Sequence, residues 1–389
     1  MNYILYDGAS REDLLPFTYT RPVADIRIGV LSMKEKWEQF LGFTTTYLTE
    51  EYLEIKYPVV EFEENVYINA SVLPSHKLVV IIQSLSENQG VLYNGEVIAF
   101  FAKKNQESVD FETYDLIDFS EEVLKLEKLT DIFSMNHKAI ELDFNLLTKN
   151  RESEPISSTN NIIGKENVFL EKGVVMEFVT INASEGPVYI GKDTLLMEGS
   201  LIRGPFSLGA NSVLKMGAKI YGGTTIGPNC TVGGEVKNVV FFGNSNKGHD
   251  GYLGNSVVGE WCNFGADTNC SNMKNNHNDI KLWNYSKNRF VPSGFRFCGL
   301  FLGDYSKLGI NSMLNTGTVI GVSVNSFGAK FPKKFIPSFS WAGEDNIVEY
   351  TFDKAIDAAK KMSGLKNKEF IEKDALILRH VFELSKRFR

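Results

Sequence analysis

Cysteine is scarce in this chain. Of 389 residues only Cys230, Cys262, Cys270 and Cys298 are cysteine, and no two form a CxxC pair. The scatter argues against a disulfide framework and a zinc site, and predicts reduced, mostly buried thiols. No run of 18 or more apolar residues occurs, so no transmembrane helix is expected. The opening MNYILYDGASRED has no basic stretch followed by a long apolar one. A secretory signal is therefore not predicted, and a cytoplasmic protein is expected. Positive charge is in deficit, with 41 Lys and Arg against 48 Asp and Glu and a net charge of −7. That disfavours nucleic acid or membrane insertion as the main role. It leaves open small anionic substrates held by local basic patches.

Glycine is scarce only in the first part. Residues 1–150 hold five of the 33 glycines and residues 160–345 hold 27. The polar, turn-rich TKNRESEPISSTN marks the change. We read three regions: an α/β domain over 1–150, a repeat domain over 151–345 and a helical extension over 346–389. In the first, Tyr3 to Tyr6 predicts a strand running into Asp7-Gly8, and residues 26–41 have helical spacing. Leu78 to Ile82 and Val97 to Phe101 predict buried segments. Asn94-Gly95 predicts a hairpin turn, and residues 131–148 a helix.

The repeat is present as a ladder of aliphatic residues six apart: Ile190, Leu196, Ile202, Leu208, Leu214, Ile220, Ile226 and Val232. Period six suits neither a helix nor a half-buried strand, and is the signature of a hexapeptide β-helix. A shorter ladder, Ile163, Phe169, Val175 and Ile181, precedes it. The phase breaks after Val232, returns at Tyr252, Val258 and Phe264, leaves over Cys270 to Phe297, and resumes at Leu302, Leu308, Leu314 and Ile320. The fold predicted is an α/β N-terminal domain followed by an all-β, left-handed parallel β-helix with C-terminal helices. Those helices could cap the solenoid. Function is expected where the repeat is interrupted.

Just past Val232 stand Lys237, His249 twelve residues on, Tyr252, Leu253-Gly254, Asn263, Gly265-Ala266 and Asn272. This pattern resembles the acetyltransferase domain of the bifunctional enzyme family that makes UDP-N-acetylglucosamine. The resemblance implies acetyl transfer from acetyl-CoA to glucosamine-1-phosphate in a homotrimer. A histidine can deprotonate the attacking amine near neutral pH, so His249 is the candidate general base. Lys215 and Lys237 are candidate sugar-phosphate ligands, Tyr252 a hydrogen-bond donor, and Asn263 and Asn272 orienting groups. Met273 stands where that family has tyrosine. The N-terminal part resembles sugar nucleotidyltransferases through Asp7-Gly8-Ala9-Ser10-Arg11 and Pro16-Phe17-Thr18-Tyr19-Thr20-Arg21-Pro22-Val23. That likeness implies nucleotide binding at Gly8, Arg11 and Arg21, with UTP and Mg²⁺, and places the metal position at Asn69. Val23 replaces the family lysine, and Asn69 its aspartate. Two alternatives follow: a nucleotidyltransferase with a structural β-helix, or a sugar-nucleotide sensor.

Overall fold

The structure is a computed structural model and describes all residues except Asn105, Glu107, Ser108, Glu344 and Asp345. The expected boundary at residue 345 falls outside the described residues. The first part is a mixed six-stranded sheet. Strand β1 (Asn2–Tyr6) lies parallel to β2 (Thr46–Leu48) and β3 (Glu64–Asn69). Strand β5 (Glu96–Lys103) runs antiparallel to β3 and β4 (Gln89–Tyr93), and β6 (Asp115–Asp118) pairs parallel with β4. The β4–β5 turn has Asn94 and Gly95 at φ of 49° and 80°, the two positive values a type I′ hairpin demands.

Helices cover Met33–Leu41, His76–Ser84, Leu129–Ser134 and Asn136–Thr148. The segment Leu78 to Ile82 is thus helix. The helix expected from residue 26 begins only at Met33. Ser32 accepts from the Glu35 N–H while the Glu35 carboxylate accepts from the Ser32 N–H. This reciprocal capping fixes the start. Residues upstream are held otherwise: the Val30 and Leu31 N–H groups donate to Asp143, itself paired with Lys36.

The second part is a three-sided parallel β-helix. On one face the inward residues of successive coils include Met176, Leu196, Leu214, Val232, Lys247, Phe264 and Leu308. The next face carries Ile181, Ile202, Ile220, Val236 and Leu253, and the third Leu170, Ile190, Leu208, Ile226, Phe241 and Val258. The eight-rung ladder lies wholly in this core. The shorter ladder does not. Ile163 and Val175 are exposed, and Leu170 and Met176 face inward instead. Tyr252 likewise points out, and Leu253 fills the rung. Here the coils are longer, with Leu170 and Ile190 20 residues apart and Ile181 and Ile202 21 apart, against the 18 of three hexapeptides, which a fixed period cannot follow.

The excursion from Cys270 to Phe297 forms a hairpin, Lys281–Asn284 against Arg289–Pro292. It docks on the N-terminal part through Asn284 and Ser286, which donate to Asp13, and through Tyr285 edge-on to Tyr19. The C-terminal helices, Phe352–Leu365 and Glu372–Leu384, pack along the outside of the solenoid. Phe382 meets Phe339 edge-on, and His380 stacks on Tyr52. The solenoid sheet ends instead in an antiparallel strand, Ile347–Glu349. One hydrophobic cluster joins the N-terminal part, the outer residues Val240, Phe301 and Val319 of the solenoid, and both helices. The reach of this cluster fixes how the two parts sit on one another.

Candidate functional site

The period fails after Val232 because the coils shorten. Eighteen residues separate Leu196 from Leu214 and Leu214 from Val232, but only fifteen separate Val232 from Lys247. The chain closes the shortened coil through Gly233-Gly234 and turns outward at Gly248-His249-Asp250-Gly251. His249 stands exposed on this corner. A Cβ on Gly233 would lie 2.9 Å from the Gly248 carbonyl oxygen and 3.0 Å from Lys215 Cβ. Lys215 and the His249 loop therefore flank the same glycine.

The face that follows the corner carries three more of the candidates. Glu235 pairs with Tyr252, Tyr221 with Lys237, and Lys237 with Gly254. Asn272 donates to the Tyr252 phenol oxygen at 2.9 Å and to Asn255 at 2.8 Å. The phenol folds over Gly254, where a Cβ would come within 2.3 Å of it. Burial pushes the Tyr252 pKa up, aided by Glu235 and opposed by the Asn272 hydrogen bond. The phenol thus keeps its proton at neutral pH and has it to donate. Lys237 is exposed, with Nζ 5.8 Å from the Tyr221 ring centroid. Its ammonium is available to an anion.

Asn263 stands apart from this group. It lies on the preceding face, between Asn246 and Lys307. Lys366, at the end of the first C-terminal helix, donates to Asn246 at 2.6 Å. One chain thus brings Lys215 and His249 to a corner and Lys237, Tyr252 and Asn272 to the next face, with Asn263 on the other flank.

Two groups were missed by the sequence reading. Arg203, Lys219 and Tyr221 extend the Lys237 face and line a cavity of about 330 Å³. Their spacing from Lys237, about one coil for Lys219 and Tyr221 and two for Arg203, was the available signal. The second is Lys247, which sits at a rung position and is buried.

The nucleotide candidates lie on the N-terminal part. Gly8 precedes a 3₁₀ turn, Ala9–Leu14, that carries Arg11. The Arg11 guanidinium meets Asp7 at 3.0 Å and Glu50 at 3.4 Å, and donates to Thr18 O and Tyr52. It borders a cavity of about 300 Å³ shared with Tyr19, Glu50, Tyr52 and Arg387. Arg21, expected at the nucleotide, is buried against the solenoid instead. It pairs with Asp304, lies 3.3 Å from Glu260 and packs over the Phe242 ring. Burial acts to lower its pKa, but Asp304 and Glu260 outweigh it and hold the guanidinium charged.

Asn69 does not fit a metal. Its Oδ1 accepts from the Ser71 N–H and hydroxyl, and its Nδ2 donates to Glu96 at 3.0 Å. The same amide lies 2.7–3.0 Å from where a Gly8 Cβ would be. Both Asp7 oxygens are also engaged, by Val23 N, Thr49 and Arg11. The side chains around Gly8 thus offer Mg²⁺ a neutral amide with both lone pairs used, and a carboxylate already bonded.

Residues 3–152 match the sugar nucleotidyl transferase family. Over 87 residues the chain is 36% identical to a bifunctional sugar-1-phosphate nucleotidylyltransferase/acetyltransferase of Sulfurisphaera tokodaii. Over 87 residues it is 33% identical to the bifunctional protein GlmU of Methanocaldococcus jannaschii. Each match covers 22% of this chain and 21% of the relative, so the chain spans about a fifth of the length of the curated relatives it matches. Among solved structures, the acetyltransferase domain of PglB from Neisseria gonorrhoeae aligns over 90% of this chain and 100% of its own. Identity there is 10% and the TM-score 0.15. At that score the fold rests on the strand pairings rather than on the likeness. Residues 3–152 thus carry the sequence signature of sugar nucleotidyl transferases, in a chain of which one matched relative, that of Sulfurisphaera tokodaii, is named for joining such an activity to an acetyltransferase.

Proposed function

We propose that this chain is a bifunctional sugar-1-phosphate transferase of nucleotide-sugar synthesis. Its solenoid transfers acetyl from acetyl-CoA to the amine of glucosamine-1-phosphate. Its N-terminal part joins a sugar-1-phosphate to UTP. The observation that carries the first half is the corner itself: exposed His249 on a loop that packs on the same glycine as Lys215, followed within three residues by Tyr252, which Asn272 hydrogen-bonds on the face that carries Lys237. In this reading His249 takes a proton from the substrate ammonium. The free amine attacks the thioester carbonyl to form the C–N bond, the C–S bond breaks, and the leaving thiolate takes the second proton shed by the amine nitrogen and departs as CoA thiol. Lys237 and Lys215 hold the phosphate, and the Tyr252 phenol donates to a sugar or phosphate oxygen. Asn263 lies on the other flank of the corner, which suits a site completed by a neighbouring chain in a homotrimer. Light scattering reads that assembly.

The family match over residues 3–152 supports the second half, as does the cavity beside Arg11. The test supplies glucosamine-1-phosphate, acetyl-CoA and UTP to the purified chain and measures CoA and pyrophosphate separately. His249→Ala should lower CoA release by about 10²–10⁴-fold and leave pyrophosphate release unchanged. Equal CoA release from the variant and the parent would remove the acetyltransferase reading.

A further inference from the structure

Lys247 occupies a place the rest of the solenoid gives to apolar side chains. Its strand, Asn246–Lys247, pairs with Thr231–Val232 on one side, and Asn246 pairs with Asn263 on the other. Lys247 therefore stacks between the rungs Val232 and Phe264, and is 1% exposed. Its stem fills the lumen, and its ammonium reaches the corner from inside. There Nζ donates to the Gly233 carbonyl at 2.9 Å and to the His249 carbonyl at 3.1 Å. Room for it is made by Gly234, at φ 73°. A Cβ on Gly234 would lie 2.8 Å from the ammonium and 2.9 Å from Asp250 Cα.

A lysine at a rung carries a desolvation cost that Val, Leu or Phe would not. Burial pushes its pKa down to about 8, against the pull of Asp250 on the corner and Asp267 on the next coil. Packing gives no reason for such a residue, since the neighbouring rungs are apolar. The hydrogen bonds give one: they join the coil before the corner to the backbone of the candidate base.

We infer that Lys247 is a positioning residue, an ammonium tether that fixes the 248–251 corner from within the solenoid and so sets where His249 stands. The effect on turnover rests on the acetyltransferase reading; the tether itself does not. The test compares the full-length chain with Lys247→Met, which restores an apolar rung. Amide hydrogen exchange over 248–251 should quicken at least tenfold. The kcat for CoA release should fall at least tenfold, with the KM for acetyl-CoA within twofold and no loss of melting temperature. Lys247→Gln keeps a shorter donor, and should fall between the two.

Unchanged exchange at the corner in both variants would overturn the tether. So would faster exchange spread along the whole solenoid with a fall in melting temperature, which assigns Lys247 to the fold alone. Should the parent release no CoA, the acetyltransferase reading fails by itself. Exchange at the corner then still decides the tether.

Discussion

Lys247 also carries a pH signature at the scale of one residue. Its native pKa, about 8, lies below the ordinary lysine value of 10.5. Between these values the unfolded chain binds more protons than the native one, so stability rises with pH. Below pH 8 the native state holds the ammonium at full cost. Above about 10.5 that cost is gone. Lys247→Met should therefore be more stable than the parent at pH 7, by up to about 3 kcal/mol, less the two hydrogen bonds lost. Urea unfolding at pH 7, 9 and 10.5 should show the two proteins converging. A constant gap across that range would contradict the assignment.

At the scale of elements, the solenoid depends on coils passing close at its corners. A Cβ on Gly227 would lie 2.1 Å from the Phe242 carbonyl oxygen and 2.5 Å from its carbon, both backbone. Backbone cannot rotate aside as a side chain can. Gly227→Ala should cost about 2–3 kcal/mol, as overpacking does. Gly364, near the end of the helix Phe352–Leu365, has no neighbour within 4 Å of its Cβ position. There alanine should gain about 0.5–1 kcal/mol from helix propensity. Thermal melts of the two variants should move in opposite directions.

These elements also show what was legible in the sequence. Ile190 to Val232 could be read because each side of those coils spends one hexapeptide, so spacing alone reports inwardness. Where turns shorten the coil, inwardness passes to Leu253 and Lys247, and spacing misassigns it to Tyr252. The grouping of Lys237, Tyr252 and Asn272 follows from register between coils, and the motif anticipated it. Arg21 was misplaced because its partner, Asp304, lies 283 residues away. No local pattern reports such a pairing.

At the scale of the whole molecule, that pairing locks two parts together. Arg21 and Asp304 are both nearly inaccessible. Asp304 also accepts from Thr20 at 2.7 Å and from the Glu260 N–H at 2.9 Å. One carboxylate on the solenoid thus gathers three groups, two of them from the N-terminal part. Removing the arginine alone strands a buried negative charge, which costs about 3–5 kcal/mol. Arg21→Met should lose that much in urea unfolding. Adding Asp304→Asn removes the stranded charge. The asparagine oxygen can still accept from Glu260 N–H, and its amide can donate to Thr20. The double variant should recover most of the loss, even though it lacks the ion pair. Were Arg21 a nucleotide ligand and no more, Arg21→Met would leave unfolding unchanged and weaken only UTP binding. The lock predicts the reverse order of effects: stability falls first, and pyrophosphate release follows only as far as the docking of the two parts is disturbed.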